Sequence, residues 1–277
     1  MTNAHSAEPK HAARIRVGIG GWTYAPWRNN FYPAKLTQKR ELEYASRQLR
    51  AIEINGTYYS PQKPATYARW RSETPDGFMF SLKAPRFTTD RRTLADAGKA
   101  IDDFVFGGLA EFGDRLGPIL WQLPPYKAFD RADLAAFLDQ LPRDLDGHAL
   151  RHVLEVRHAS FKSAEYLELA RKYRVPTVFT DSPQYPSFAD VTGDFVYARL
   201  MRSESAIPTG YADADLDHWA QRAKQWAGGG DPADLPRVSA PGGPATTAPR
   251  DVFVYFISAA KERNPAAAQA LQGRCTE

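Results

Sequence analysis

The sequence contains one cysteine, Cys275, so an internal disulfide and a metal cluster built from several cysteines are both excluded. It also lacks any apolar run near the ~18–20 residues that a membrane-spanning helix needs. The opening segment, MTNAHSAEPKHAAR, has no apolar stretch of the kind found in secretory signals. We therefore expect a cytoplasmic protein with no membrane partner.

Neither sign of charge is in large excess, because 36 Lys and Arg face 32 Asp and Glu, for a net charge of +4. Half of that excess lies within residues 1–16, where Lys10, Arg14 and Arg16 outnumber Glu8. So small a surplus does not predict a nucleic-acid-binding surface. The length of 277 residues permits one large domain or two small ones, and 43% hydrophobic residues are enough for a sizeable core.

Short apolar runs recur along the chain and alternate with segments of helical spacing. Because the runs are nearly continuous in hydrophobicity, they are typical of parallel strands covered on both faces. Eight such runs are present: Ile15–Gly20, Ala51–Ile54, Phe78–Leu82, Ile119–Leu123, His152–Val156, Pro176–Phe179, Phe195–Leu200 and Val252–Phe256. Eight strands alternating with helices predict an α/β fold, a single (β/α)₈ TIM-type barrel.

The alternative is an open, doubly wound sheet, which would usually carry a glycine-rich phosphate turn after its first strand. Gly18-Ile19-Gly20-Gly21 lacks the spacing of that turn, so the barrel is favoured. Two helix starts are also predicted. Asp130 is placed to cap the helix that follows it, and Asn264-Pro265 opens a final helix through Leu271.

Two segments interrupt the alternation of strands and helices. Thr180–Asp194, after the sixth strand, contains two prolines and a glycine, so no full helix is expected there. Gly228–Pro249 contains five glycines and five prolines in 22 residues and is predicted to be a flexible insertion before the last strand. The predicted organisation is therefore a disordered tail over 1–14, a barrel domain over 15–272 containing the insertion at 228–249, and a tail over 273–277.

Polar side chains gather where the predicted strands end, which is the end of a TIM-type barrel that carries its chemistry. Residues two apart on a strand share a face, so each pair on the second, fifth and seventh strands points the same way. Buried charges are costly unless paired, and a ring of them predicts a polar pocket. The ring comprises Glu53, Asn55, Lys83, Gln122, Glu155, Arg157, Tyr197 and Arg199. A layer of internal salt bridges without a ligand is the competing interpretation.

Aromatic residues crowd the loop after the first strand, where Trp22, Tyr24, Trp27, Phe31 and Tyr32 fall within eleven residues. Flat rings at a pocket mouth can stack on a sugar or a base. We therefore place Trp22, together with Tyr58 after the second strand, among the ligand contacts. The alternative is a long loop that packs on itself through its rings.

Three cations in the ring, from Lys83, Arg157 and Arg199, predict a pocket for an anionic small molecule bearing phosphate or carboxylate. Glu53 and Glu155 are the candidate catalytic residues of a metal-independent hydrolase or lyase, with one of them as general base. Asn55, Gln122 and Tyr197 would orient the substrate. No cofactor is predicted.

Other chemistries remain as alternatives. A metal-assisted hydrolase would use Glu53, Glu155 and Asp181, although Lys83 and Arg157 would repel the metal cation. A glycosidase would need one carboxyl of raised pKa, which neighbouring cations oppose. The chain could also be a non-catalytic protein that binds a metabolite or, as the less favoured partner, a nucleic acid.

Longer motifs surround these strand-end residues: GGWTYAPWRNNFYP (Gly20–Pro33), ELEYASRQLRAIEINGTYY (Glu41–Tyr59), FMFSLKAPRFTT (Phe78–Thr89), LGPILWQLPP (Leu116–Pro125), LEVRHASF (Leu154–Phe161), FVYARL (Phe195–Leu200) and DVFVYF (Asp251–Phe256). In these motifs the sequence resembles domain-of-unknown-function family 72, the YecE-like proteins, from about Arg16 to Leu271. The resemblance implies a TIM-type barrel and implies no established reaction.

The chain departs from the family pattern at three places. Where many members have Thr-His after the third strand, this chain has Thr89-Asp90. Where many continue the seventh strand into His-Gly, it has Leu200-Met201, and where many follow the last strand with Asn-Asn-Asp, it has Ile257-Ser258-Ala259. A mechanism that needs those His or Asn residues is therefore in doubt here.

Overall fold

The computed structural model describes residues 14–239 and 248–276. In chain order its strands are β1 (Ile15–Gly20), β2 (Ala51–Ile54), β3 (Met79–Lys83), β4 (Leu116–Gln122), β5 (Asp144–Leu145), β6 (His148–Ala149), β7 (His152–Glu155), β8 (Phe179–Thr180), β9 (Phe195–Leu200) and β10 (Asp251–Phe256). Eight of them are parallel and form one sheet that curves into a nearly closed barrel, in the hydrogen-bonded order β7-β4-β3-β2-β1-β10-β9-β8. The other two, β5 and β6, pair in a separate antiparallel hairpin.

The barrel closes between β7 and the segment that leads into β8. Leu154 pairs with Thr177 in parallel. The Leu154 amide donates to the Pro176 carbonyl at 2.9 Å, and the Val178 amide donates to the Leu154 carbonyl at 2.8 Å. These bonds join the two outer edges of the sheet, so the TIM-type barrel predicted from the sequence is confirmed and the open sheet is not formed.

Helices follow most strands and cover the outside of the barrel. The Asp130 side chain accepts a hydrogen bond from the Asp133 amide, which confirms the predicted helix cap. No helix lies between Thr180 and Phe195, as predicted. The α-helices are α1 (Glu41–Gln48), α2 (Pro64–Ser72), α3 (Arg86–Thr89), α4 (Gly98–Val105), α5 (Arg131–Asp139), α6 (Ala164–Tyr173), α7 (Asp213–Ala227) and α8 (Asn264–Thr276).

Several local predictions differ from the structure, among them the start of β4, which lies at Leu116 rather than Ile119. Strand β8 covers Phe179–Thr180 rather than the predicted Pro176–Phe179, and Thr177 joins the barrel through a single bridge to Leu154. Pro176 has no amide proton to give to a strand ladder. Helix α8 continues to Thr276 instead of ending at Leu271, so helix replaces the predicted tail at 273–276. The β5–β6 hairpin was missed, although Asp146-Gly147, both with positive φ, is the sequence signal of such a turn.

The first part of the predicted insertion packs against the loop that follows β8. The Asp190 carboxylate accepts hydrogen bonds from the amides of Val238, at 2.8 Å, and Ser239, at 3.0 Å. The Ala189 amide donates to the Pro236 carbonyl at 2.8 Å. Residues 240–247 of the insertion, residues 1–13 of the predicted N-terminal tail and residue 277 lie outside the described part of the chain. Within the described ranges, no helix is both long and apolar enough to cross a membrane.

Candidate functional site

A cavity of about 840 Å³ opens at the carboxyl-terminal ends of the barrel strands. Its wall comes from the ends of β2, β3 and β9 and from the loops after β1, β2, β7, β8 and β10. Gly20, at the end of β1, makes room in this wall, because a Cβ there would approach the Asn55 amide nitrogen to 2.9 Å. The cavity is therefore shaped by the elements that the barrel topology brings to one end.

Four cationic side chains line the cavity: Lys83, Arg157, Arg199 and Lys261. Among the described residues, no aspartate or glutamate belongs to the lining. The two carboxylates predicted for the site, Glu53 and Glu155, lie beneath it and are fully or almost fully buried. The wall that a ligand would meet is thus positive, and the balancing negative charge lies in the barrel interior.

Glu53 is held from across the barrel by two residues of β9. The Tyr197 hydroxyl donates to Glu53 Oε2 at 2.7 Å. The Arg199 guanidinium donates through Nε to Oε2 at 3.1 Å and through Nη2 to Oε1 at 3.0 Å. This two-pronged contact satisfies both carboxylate oxygens, as a buried charge requires.

Glu155 bridges two arginines. Arg199 donates through Nη1 to Glu155 Oε2 at 2.6 Å. Arg157 donates through Nε to Glu155 Oε1 at 2.8 Å, and its Nη2 lies 2.7 Å from the same oxygen. Arg157 also donates to the Tyr185 hydroxyl at 3.1 Å and lies over the Tyr185 ring, 4.1 Å from its centre. Arg199 is therefore the central cation of one network that joins β2, β7 and β9.

The network fixes the protonation of its members. Burial by itself would raise the pKa of Glu155, but the positive charges of Arg199, Arg157 and Lys83 outweigh it and leave the pKa below its usual value. Burial, followed by the charge of Glu53, raises the pKa of Tyr197 well above its usual value, so its hydroxyl stays protonated and donates to Glu53. Glu155 is thus ionised, and Tyr197 neutral, at physiological pH.

Lys83 differs from the two arginines because its amine has no carboxylate partner within hydrogen-bond or ion-pair distance among the described residues. The amine lies over the Tyr58 ring, 3.9 Å from the ring centre. Its backbone is fixed by the buried Thr57 hydroxyl, which donates to the Lys83 carbonyl at 2.7 Å. Burial, followed by the nearby charge of Arg199, lowers the pKa of Lys83 to about 8, against the opposing effect of Glu155 and Glu53.

The structure brings the predicted site residues together at two depths. Asn55, Lys83, Arg157, Arg199 and Trp22 line the cavity. Five do not line it: Glu53, Glu155, Gln122 and Tyr197 are buried, and Tyr58 is half-buried beneath the Lys83 amine.

The amides and Tyr58 connect these two depths. Gln122 donates to the Tyr58 hydroxyl at 3.4 Å, and its buried Oε1 has no hydrogen-bond partner among the described residues. Asn55 donates to the Glu53 carbonyl at 3.4 Å. The period-two spacing of the strands thus predicted which strand residues point toward the barrel interior. It did not predict which of them line the cavity and which lie buried beneath it.

The aromatic residues of the loop after β1 have two different surroundings: some pack within the loop, and Trp22 lies in the cavity wall. Trp27, Phe31 and Tyr32 are buried, and Trp27 packs edge to face on the other two rings. Phe31 and Tyr32 in turn pack edge to face on Tyr44, so this part of the loop packs on itself, as the alternative interpretation expects. Trp22 instead stands in the cavity wall, edge to face with Trp70 at 4.9 Å between ring centres. One ring of the loop is therefore available to a ligand on this side of the cavity.

Two residues of the cavity lining were not predicted from the sequence. Lys261 lies after β10, where its amine is 4.5 Å from the centre of the Tyr24 ring, and Tyr185 lies in the helix-free segment after β8. Both occur in loops that follow a strand, and this position was the only sequence feature that could have predicted a place in the cavity lining. Neither has a periodic pattern that would separate it from an ordinary surface residue.

The carboxylates that the metal alternative requires do not converge. Asp181 accepts hydrogen bonds from the Met201 amide at 2.5 Å and from the Tyr211 hydroxyl at 3.2 Å. It lines a second cavity of about 370 Å³, whereas Glu53 and Glu155 belong to the arginine network. In residues 14–239 and 248–276, no group of three His, Cys, Asp or Glu is arranged to hold a metal ion.

Comparison with solved structures supports the fold. A DUF72 family protein from Thermotoga maritima MSB8 superposes with a TM-score of 0.72 at 18% identity, covering 95% of this chain and 99% of that one. A DUF72 family protein from Enterococcus faecalis V583 gives 0.68 at 16% identity, covering 95% and 96%. The protein SacUVDE gives 0.53 at 10% identity, covering 94% and 99%. These likenesses concern the barrel alone.

Sequence comparison identifies the family. UPF0759 protein YunF of Bacillus subtilis (strain 168) is 25% identical over 117 residues, a match that spans 40% of this chain and 40% of that relative. The family model described as "Protein of unknown function DUF72" matches residues 16–277, nearly the whole length. The resemblance seen in the strand-end motifs is thereby confirmed, and the chain belongs to the DUF72 family.

Proposed function

We propose that the chain binds a small molecule bearing a phosphate or carboxylate group in the cavity at the mouth of the barrel. The observation that carries this proposal is the lining, which contains four cationic side chains and no carboxylate among the described residues. The two buried glutamates beneath neutralise two of those cations. Two positive charges therefore remain without a counter-charge in a partly desolvated cavity.

Lys83 is the group best placed to receive the anion. Its amine faces the cavity, and no carboxylate of the described chain competes for it. Arg157 and Arg199 donate most of their hydrogen bonds to the two glutamates. We therefore assign them a secondary role, in which they add positive charge to the cavity wall and make additional contacts with the anion. Asn55 and Trp22, which share the lining, would orient the rest of the molecule.

The roles of Glu53 and Glu155 as catalytic residues stay a prediction. Their contacts support a positioning function, because each holds Arg199 in place. An ionised Glu155 is compatible with a general base and incompatible with a general acid, which requires a raised pKa. The same argument disfavours a glycosidase in which Glu155 is the acid.

The proposal is tested by titrating the full chain with inorganic phosphate, sulfate and succinate at constant ionic strength, followed by calorimetry and thermal shift. We expect saturable stabilisation that is unchanged by EDTA. Lys83→Met should weaken binding by about 10–100-fold, the scale of one charge-assisted hydrogen bond. The matched control is Lys99→Met, which removes an exposed lysine paired with Asp103 and should leave binding unchanged.

Three outcomes would count against the proposal. Equal loss of affinity in both variants would mean that the anion binds diffusely to surface charge. Stabilisation by Mg²⁺, Mn²⁺ or Zn²⁺ but by none of the anions would reinstate the metal alternative. Tight, strongly salt-dependent binding to DNA or RNA by a chain lacking residues 1–14 would instead favour the nucleic-acid alternative.

A further inference from the structure

Lys83 combines three features that anion binding alone does not require. Its amine is buried at the edge of a roomy cavity, it has no carboxylate partner in the described chain, and its charged neighbours include two guanidinium groups. An ordinary structural lysine is exposed or paired, as Lys99 is with Asp103. Burial beside cations is the environment that activates a lysine amine as a nucleophile.

We propose that Lys83 forms a covalent imine with the carbonyl carbon of an aldehyde or ketone that also carries a phosphate or carboxylate group. The inference rests on the proposed function: when the Lys83 amine meets the carbonyl, the anionic group of the same molecule would be held by the other cations of the lining, Arg157, Arg199 and Lys261. The cavity of about 840 Å³ leaves room for both groups of such a molecule at once.

The chemistry balances without any oxidant or reductant. The ammonium form first releases a proton to solvent, and the neutral nitrogen then attacks the carbonyl carbon, so that a nitrogen–carbon bond forms and the carbonyl oxygen becomes a hydroxyl. That hydroxyl takes a proton and leaves as water when its bond to carbon breaks, giving an iminium ion. The net change is that one ammonium and one carbonyl give one iminium and one water.

The surroundings of Lys83 favour the neutral amine that this attack needs. Burial and the charges of Arg199 and Arg157 oppose protonation, while Glu155 and Glu53 favour it and are themselves engaged by the arginines. The resulting pKa of about 8 leaves about half of the Lys83 amines neutral at pH 8. An ordinary lysine of pKa about 10.4 would be roughly 0.4% neutral at that pH.

Reductive trapping tests the inference. Wild-type protein is incubated with glyoxylate and cyanoborohydride across pH 6–10, and each lysine is scored by peptide mass spectrometry for the carboxymethyl product. We expect Lys83 to be labelled at least tenfold faster than Lys99 at pH 8, with a rate that rises through about pH 8. Propanal, which lacks the anionic group, should lose most of this selectivity, and phosphate should protect Lys83.

Two variants test whether the reaction occurs at Lys83, and each keeps the positive charge of the lysine that it replaces. Lys83→Arg retains the positive charge and should abolish the product at this position. Lys99→Arg alters an exposed lysine outside the lining and should leave Lys83 labelling unchanged. Because the wild-type measurement resolves each lysine separately, the test does not depend on either variant folding.

The outcomes separate the inference from the proposed function. Labelling spread over lysines according to their exposure, or concentrated on Lys261, overturns the imine. If phosphate stabilises the protein and Lys83 shows no selective labelling, the imine is wrong and anion binding stands. If neither phosphate nor succinate binds and glyoxylate labels Lys83 no faster than propanal does, both are wrong.

Discussion

Arg199 is the residue whose removal tests the site network most directly. Three of its hydrogen bonds, between 2.6 and 3.1 Å, end on two different buried carboxylates. Replacement by methionine keeps an unbranched side chain of similar length but removes the charge. Glu53 would retain the Tyr197 hydroxyl and Glu155 would retain Arg157, yet the bridge between the two carboxylates would be lost.

The magnitude follows from the burial of these groups. Removing one partner of a buried ion pair leaves an uncompensated charge and typically costs about 3–5 kcal/mol of folding free energy. Arg199 and Glu155 expose only 2% of their side chains and Glu53 exposes none, so solvent cannot replace the lost contact. We expect a loss of about 3–5 kcal/mol for Arg199→Met at pH 7, measured by urea denaturation of the full chain.

The pH dependence gives this prediction a second signature. In the wild type the pKa of Glu155 is lowered, so its contribution to stability is present above its unfolded pKa and is lost as pH falls through the folded value. Without Arg199, burial would dominate and the folded pKa would rise. The variant should therefore lose less relative to the wild type as pH falls from 7 toward 5, because protonation relieves the buried charge.

A surface pair provides the matched control. Arg131 pairs with Glu165 and Glu168 at a half-exposed position, and Arg131→Met should cost about 1 kcal/mol or less with little pH dependence. If Arg199→Met loses no more folding free energy than Arg131→Met, or if that loss does not change with pH, the pairs of Arg199 with Glu53 and Glu155 do not stabilise the fold.

Two further predictions concern single groups. Burial is the main cause that raises the pKa of Asp181, to about 6, despite its bonds from Met201 and Tyr211, so its contribution to stability is present below its unfolded pKa and is lost as pH rises through about 6. Asp181→Asn should flatten this pH 4–7 dependence in urea titrations, and an unchanged slope would contradict the assignment. Asp130→Ala should cost about 1 kcal/mol in thermal unfolding by removing the cap on the Asp133 amide, while Asp130→Asn should cost less. Equal losses would mean that the hydrogen bond to the Asp133 amide is not what stabilises this end of the helix.

Much of the barrel could be predicted because its signals are local. The bounds of β1, β2 and β9 agree with the apolar runs at Ile15–Gly20, Ala51–Ile54 and Phe195–Leu200. These strands pack on both faces, so hydrophobicity continues to their ends. β8 was placed too early because the apolar run begins at Pro176, whereas regular pairing with β9 begins only at Phe179.

For the candidate site, the direction of the strand side chains could be predicted from the sequence, but their pairing could not. Period-two spacing on a strand was enough to direct Glu53, Glu155 and Arg199 inward, because alternation is a property of the extended backbone itself. It could not tell which carboxylate each arginine would meet. Glu53 and Arg199 are 146 residues apart in the chain, and their 3.0 Å contact depends on how the strands are placed around the barrel.

The sequence by itself determined the order of strands and helices, the polar character of the strand ends and the inward direction of their side chains, since each follows from short-range periodicity. Only the tertiary structure decided the depth of those side chains. Closure of the barrel buried Glu53 and Glu155 against Arg199 and left Lys83 facing the cavity, while the loops added Lys261 and Tyr185 to its surroundings. Depth and pairing depend on distances across the barrel, which no local pattern specifies.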